Sequence, residues 1–222
     1  MAMPISDGRA RLEYSPAVSA SSNPDLRRRA LRLQYATIGW NMGEAVLTIT
    51  LGAAAGSLAL IAFGADSIIE IFASVVVVWH LRGEAHRHRT RRALRLVGVA
   101  FLLLAASLGF FATRDLWTGR QASESWPGIV YLAITAVVMF GLAIAKRKVA
   151  STLASEPFSA EAEMTFLDGM LSTATLVGLL LNAVLDWWWA DPLAGLLIAV
   201  IAIREAFESF EEAREFAPRP LA

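Results

Sequence analysis

The sequence predicts an all-α membrane protein with six transmembrane helices. Three observations carry that prediction. Of its 222 residues, 56% are hydrophobic and only 18% charged, whereas an average soluble domain is about 25% charged. The apolar residues gather into charge-free runs, Ala45–Ala65, Leu96–Thr113, Pro127–Ala145 and Gly169–Leu185, and a run of about 18 or more reads as a bilayer-spanning helix. The basic residues crowd into alternate connections between those runs. This pattern argues against a soluble enzyme, and no enzymatic activity is expected. The absence of Cys removes disulfides, thiolate metal sites and thiol nucleophiles together. A net charge of +0 argues against nucleic acid as a partner.

In chain order, residues 1–26 read as a flexible cytoplasmic tail with no apolar signal segment. Residues 27–212 form the six-helix transmembrane domain, and 213–222 a short cytoplasmic tail. The expected spans are Leu31–Ala53, Ser57–Leu81, Ala93–Phe111, Pro127–Ala145, Met164–Trp187 and Pro192–Phe210. Asn23-Pro24-Asp25 marks the first helix start, with Asn as cap and Pro in the first turn. Gly52–Gly56 supplies a tight turn into the second helix, and Asp191-Pro192 opens the sixth. Small residues at Gly64, Ala65, Gly169 and Gly178 are placed for close helix packing.

Basic residues sit before the first helix, between the second and third, between the fourth and fifth, and toward the end of the sixth. That side holds 18 of the 20, and the other side only Arg114 and Arg120. Because basic flanks stay inside, the protein is expected in the cell membrane with both termini cytoplasmic. Trp117, Trp126 and Trp187-Trp188-Trp189 then form the outer aromatic belt.

Four carboxylates lie deep in the spans: Glu44, Asp66, Glu70 and Asp168. Ionised and unpaired, they would together cost on the order of 10 kcal/mol. No Lys or Arg is expected at matching depth, so protons or metal cations must neutralise them. Their neighbours fall at helical spacing. The first helix carries Thr37, Asn41, Glu44 and Thr48, the second Asp66, Glu70 and Ser74, and the fifth Asp168, Ser172, Thr175 and Asn182. Helices one, two and five should therefore line one polar interior. Asp66 and Glu70, one turn apart, can both reach one ion. Oxygen ligands suit hard divalent cations, and zinc accepts them too. Clustered like charges hold protons tightly, and metal binding needs deprotonated ligands. A site exposed alternately to the two sides would thus exchange cations for protons.

Gly56-Ser57-Leu58-Ala59-Leu60, Ala65-Asp66-Ser67-Ile68-Ile69-Glu70 and Ala73-Ser74 resemble the second-helix signature of the cation diffusion facilitator superfamily. Asp191-Pro192-Leu193-Ala194-Gly195 resembles the family's sixth-helix start, and Asp168 stands where its fifth helix carries an acidic ligand. The resemblance covers roughly Ala30–Phe210. It implies a cation diffusion facilitator-like bundle, a homodimer, and a proton-coupled exporter of Zn²⁺, or of Mn²⁺, Fe²⁺ or Co²⁺. It implies a tetrahedral site with two ligands on helix two and two on helix five, which carry over to Asp66, Glu70, Asp168 and Met164. Met164 departs from the family's harder ligand and Glu70 from its Asp, so Glu44, Asn41 or water is expected to complete the site. Only about a dozen residues follow the sixth helix, so the chain resembles the short members without a C-terminal metal-sensing domain.

His86-x-His88, near His80 and Glu84, could form a second metal site, but neighbouring Arg87, Arg89, Arg91 and Arg92 would repel a cation. Lys146-Arg147-Lys148 reads as a topology anchor. Two other functions compete: a small multidrug-type proton antiporter, which would want aromatic walls, and a non-transporting metal-binding membrane protein.

Overall fold

A computed structural model describes residues 24–55, 58–83, 86–119 and 126–216. The expectations for the N-terminal tail, the Asn23 cap, Gly56-Ser57, Glu84, Arg120 and the last residues lie outside them. Six helices follow one another: α1 Pro24–Ala55, α2 Leu58–Arg82, α3 Arg87–Thr118, α4 Trp126–Leu153, α5 Glu156–Leu185 and α6 Ala190–Glu215. Among the described residues there is no strand. Except α2, which matches its expected span in length, every helix is longer than expected. A helix satisfies its own backbone hydrogen bonds, so it can continue into charged sequence where an apolar count stops. The extension is largest at α3, and α5 begins at Glu156 rather than Met164.

Four described segments are long and apolar enough to cross a membrane: Phe63–Arg82, Arg87–Thr118, Val130–Leu153 and Glu156–Asn182. The first and last helices are more polar. α1 starts with Arg27, Arg28, Arg29 and Arg32, then carries its stripe of Gln34, Asn41 and Glu44; α6 turns acidic after Arg204.

The packing has two parts. α1 packs on α2 and α4, and α5 packs on α2 and α4, so these four helices close a ring. α3 and α6 pack extensively on each other and flank the ring, touching α2 and α5. Close approach depends on glycine at two crossings. A Cβ on Gly64 would lie 2.5 Å from Ile49 and 2.7 Å from Thr48 of α1. A Cβ on Gly178 would lie 2.9 Å from the Asp191 Cα of α6. The apolar core runs through Ala73, Val77, Val97, Phe101, Phe158 and Ala202. Large apolar residues such as Val46, Phe110, Val137 and Val200 face outward, as lipid-facing positions must.

The α4–α5 connection is only Ala154-Ser155. Ala154 takes a left-handed backbone at φ 51° to turn the chain back. This tight hairpin lays the end of α4 along the start of α5, which governs the chemistry described next.

Candidate functional site

α1 contributes Gln34, Thr37, Asn41, Glu44 and Thr48 to the interior, all buried. Their spacing of three and four residues keeps them on one face. α2 adds Ser67, Glu70 and Ser74, also buried, and the half-buried Asp66. α5 adds Glu161, Thr165 and Ser172, buried, and the half-buried Asp168. The three helices expected to share a polar interior do so. α4 joins them with Tyr131, Thr135 and Lys146.

Each expected carboxylate has a defined setting. Glu44 accepts a 2.6 Å hydrogen bond from the Tyr131 hydroxyl through Oε1. Asp66 accepts one of 2.5 Å from Ser107 of α3. Glu70 accepts one of 2.6 Å from Thr165 of α5 through Oε1. Asp168 lies within electrostatic reach of Glu70, Glu44 and Asp66. One oxygen of each of three carboxylates is buried with no protein partner: Glu44 Oε2, Glu70 Oε2 and Asp168 Oδ2. The Asn41 Oδ1, Ser172 Oγ and Thr135 Oγ1 atoms share that condition. The carboxylate oxygens only accept when ionised, whereas the Ser172 and Thr135 hydroxyls can donate as well, and Ser67 and Thr135 stand close enough to Glu44 to do so. Buried polar atoms are normally satisfied, so three carboxylates gathered in one interior call for protons or a cation beyond what the nearby hydroxyls supply.

Asp66 and Glu70 do not turn toward a shared ion here: one bonds to α3 and the other to α5. Among the described residues, no three His, Asp or Glu side chains stand together as a ready-made metal cage. Met164 is 2% exposed and packs in the apolar core, so its thioether serves packing. His86 and His88 are exposed at the start of α3.

The expectation that no basic residue reaches the depth of the carboxylates is corrected. Lys146 is fully buried, and its Nζ donates to Glu161 Oε1 at 2.6 Å and to Thr165 Oγ1 at 2.8 Å. It is therefore more than a topology anchor, because its charge is buried inside the bundle. Glu161 also accepts from Gln34 of α1 at 2.6 Å and from Ser74 of α2 at 2.7 Å. Four ring helices thus meet at one buried ion pair, which the Thr165 hydroxyl links to Glu70. Arg147 does stay near the surface, pairing with Glu163 and stacking over Phe166 at 4.0 Å. Lys146 was missed because it follows the apolar run of α4 by one residue, and Glu161 because it precedes the apolar run of α5. Tyr131 was missed because a Tyr near a span end reads as an interface residue. The available signal was the short Lys146-to-Glu161 separation across a possible hairpin.

The protein is thus of the class of helical membrane bundles that carry several carboxylates in their interior. The particular family follows from comparison. Residues 35–215 match the model of the cation efflux transmembrane domain, and the chain belongs to that family. It is 24% identical over 168 residues to the cation-efflux pump FieF of Shewanella oneidensis, a match covering 69% of this chain and 55% of the relative. It is 23% identical over 180 residues to the uncharacterized transporter YdbO of Bacillus subtilis, covering 76% and 61% respectively. The chain thus spans little more than half the length of these curated relatives.

Proposed function

We propose that the protein exports a divalent metal cation, zinc or a related transition metal, from the cytoplasm in exchange for protons. In this reading all six helices span the cell membrane, with the start of α1 and the end of α6 on the cytoplasmic side, and two copies associate. The observation that carries it is the trio of unpartnered carboxylate oxygens, Glu44 Oε2, Glu70 Oε2 and Asp168 Oδ2, inside the ring of four helices. The Cation-efflux name of the Shewanella relative points the same way.

Asp66, Glu70 and Asp168 hold the cargo, and Glu44 or Asn41 completes its shell. The carboxylates stand apart, so capture requires Asp66 and Glu44 to leave their hydroxyl partners on Ser107 and Tyr131 and to converge with Asp168 on the open Oε2 of Glu70. That exchange of partners links cation binding to a change in helix packing, since the hydroxyls belong to α3 and α4. Ligands must be deprotonated to bind metal, so each capture releases protons that were neutralising the interior. Loss of the cation on the other side returns protons to the same oxygens.

Purified protein in proteoliposomes tests this. Zn²⁺, Mn²⁺, Fe²⁺ or Co²⁺ applied to one side should drive proton movement to that side, and Asp168→Asn should abolish it. Metal uptake unaccompanied by protons, or undiminished flux in Asp168→Asn, would defeat the reading.

A further inference from the structure

We propose that Lys146 is a positioning residue for Glu70, acting through the Thr165 hydroxyl, and thereby sets the affinity of the interior for its cation. The inference rests on the transport reading above and adds a residue that touches no candidate ligand directly.

The direction of the hydrogen bonds follows from the groups. A lysine ammonium only donates, and a threonine hydroxyl has one proton. Lys146 Nζ lies 2.8 Å from Thr165 Oγ1, so it donates there, and the threonine proton must go to another acceptor. Two are in reach: Glu70 Oε1 at 2.6 Å and the Glu161 backbone carbonyl at 3.4 Å. The shorter, charge-assisted bond wins. The relay therefore runs from Lys146 through Thr165 to Glu70.

The relay is anchored at its start. Lys146 is also bonded to Glu161, which Gln34 and Ser74 hold from two other helices. These four side chains and Thr165 are all fully buried. Glu70 Oε1 is thus committed, while Oε2 is the oxygen left without a partner. Stability alone does not require this arrangement, because apolar residues usually replace a buried ion pair without loss. What an apolar pair could not do is fix a hydroxyl onto a ligand carboxylate. Outer partners of that kind are typically worth about tenfold to a hundredfold in metal affinity.

The test uses the full chain in proteoliposomes, with Zn²⁺-driven proton movement as the readout, or Mn²⁺, Fe²⁺ or Co²⁺ if wild type prefers it. Thr165→Val should raise KM by about tenfold to a hundredfold while leaving the maximal rate near wild type. Thr165→Ser, which keeps the hydroxyl, should restore KM. The charge-neutral pair Lys146→Met with Glu161→Gln should raise KM as Thr165→Val does. Adding Thr165→Val to that pair should then cost less than about threefold more, since the two act through one path. A wild-type KM in Thr165→Val, or its full penalty repeated in the neutral background, would overturn the proposal. If the neutral pair fails to fold, the Val-to-Ser comparison decides alone. Wild-type protein inert to all four metals would defeat the transport reading itself, which separates that failure from this one.

Discussion

Lys146 and Met164 show how residue type and position part company. Lys146 carries a charge yet is fully buried, and Met164 stands at a ligand position yet packs in the core. Two predictions follow from those settings. Lys146→Met alone leaves the buried Glu161 carboxylate without its counter-ion, with only the neutral donors Gln34 and Ser74, which should cost about 3–5 kcal/mol of stability. Adding Glu161→Gln should recover most of it, as thermal unfolding in detergent will report. Met164→Leu nearly conserves volume, so its cost should stay below about 1.5 kcal/mol. Metal competition on the purified variant should find its affinity close to wild type. Glu44→Gln should weaken binding clearly in the same assay, because it removes the negative charge of a buried carboxylate in the candidate shell.

At the scale of elements, the α4–α5 hairpin decides where Lys146 and Glu161 meet. Its turn places Ala154 at φ 51°, a conformation that costs a residue with a Cβ roughly 1–2 kcal/mol. Ala154→Gly should therefore stabilise the protein, by about 1 kcal/mol at most, as a rise in the thermal midpoint. The ends of α5 and α6 behave differently. They enclose a cleft of about 220 Å³ lined by Glu163, Glu205, Glu208 and Glu212 among others. Burial, reinforced by the negative charges of Glu156, Glu208, Glu215 and Glu205, pushes Glu212 up to about 7 from its ordinary 4.5. The folded state then holds a proton that the unfolded state has released, so stability falls as pH rises from about 4.5 through about 7. Glu212→Gln should flatten that slope, which thermal midpoints taken across the interval will measure.

For the molecule as a whole, the ring of α1, α2, α4 and α5 carries the polar chemistry and the α3–α6 pair supports it from one side. Ser107 of α3 reaches into the ring to Asp66, so a shift of the flanking pair would alter that carboxylate. The basic asymmetry of 18 against 2 predicts that the far ends of α3 and α5 face outside. Probes attached at Thr118 and Trp188 should react with impermeant reagents added to intact cells. Modification of either only after the membrane is opened would reverse the orientation.

Composition and hydropathy alone determined that the chain is helical and built for a membrane. They also placed Glu44, Asp66, Glu70 and Asp168 on inward faces, because a helix repeats its faces every three to four residues whatever surrounds it. The same local rule foresaw the polar stripes of α1, α2 and α5. Tertiary structure decided what those stripes meet: Tyr131 on Glu44, Ser107 on Asp66, and Thr165 with Lys146 behind Glu70. Such partners come from other helices, and their choice depends on helix rotation and depth, which no periodicity encodes. The burial of Lys146 belongs to the same class, since a charge can leave water only where folding has already brought it an acceptor such as Glu161.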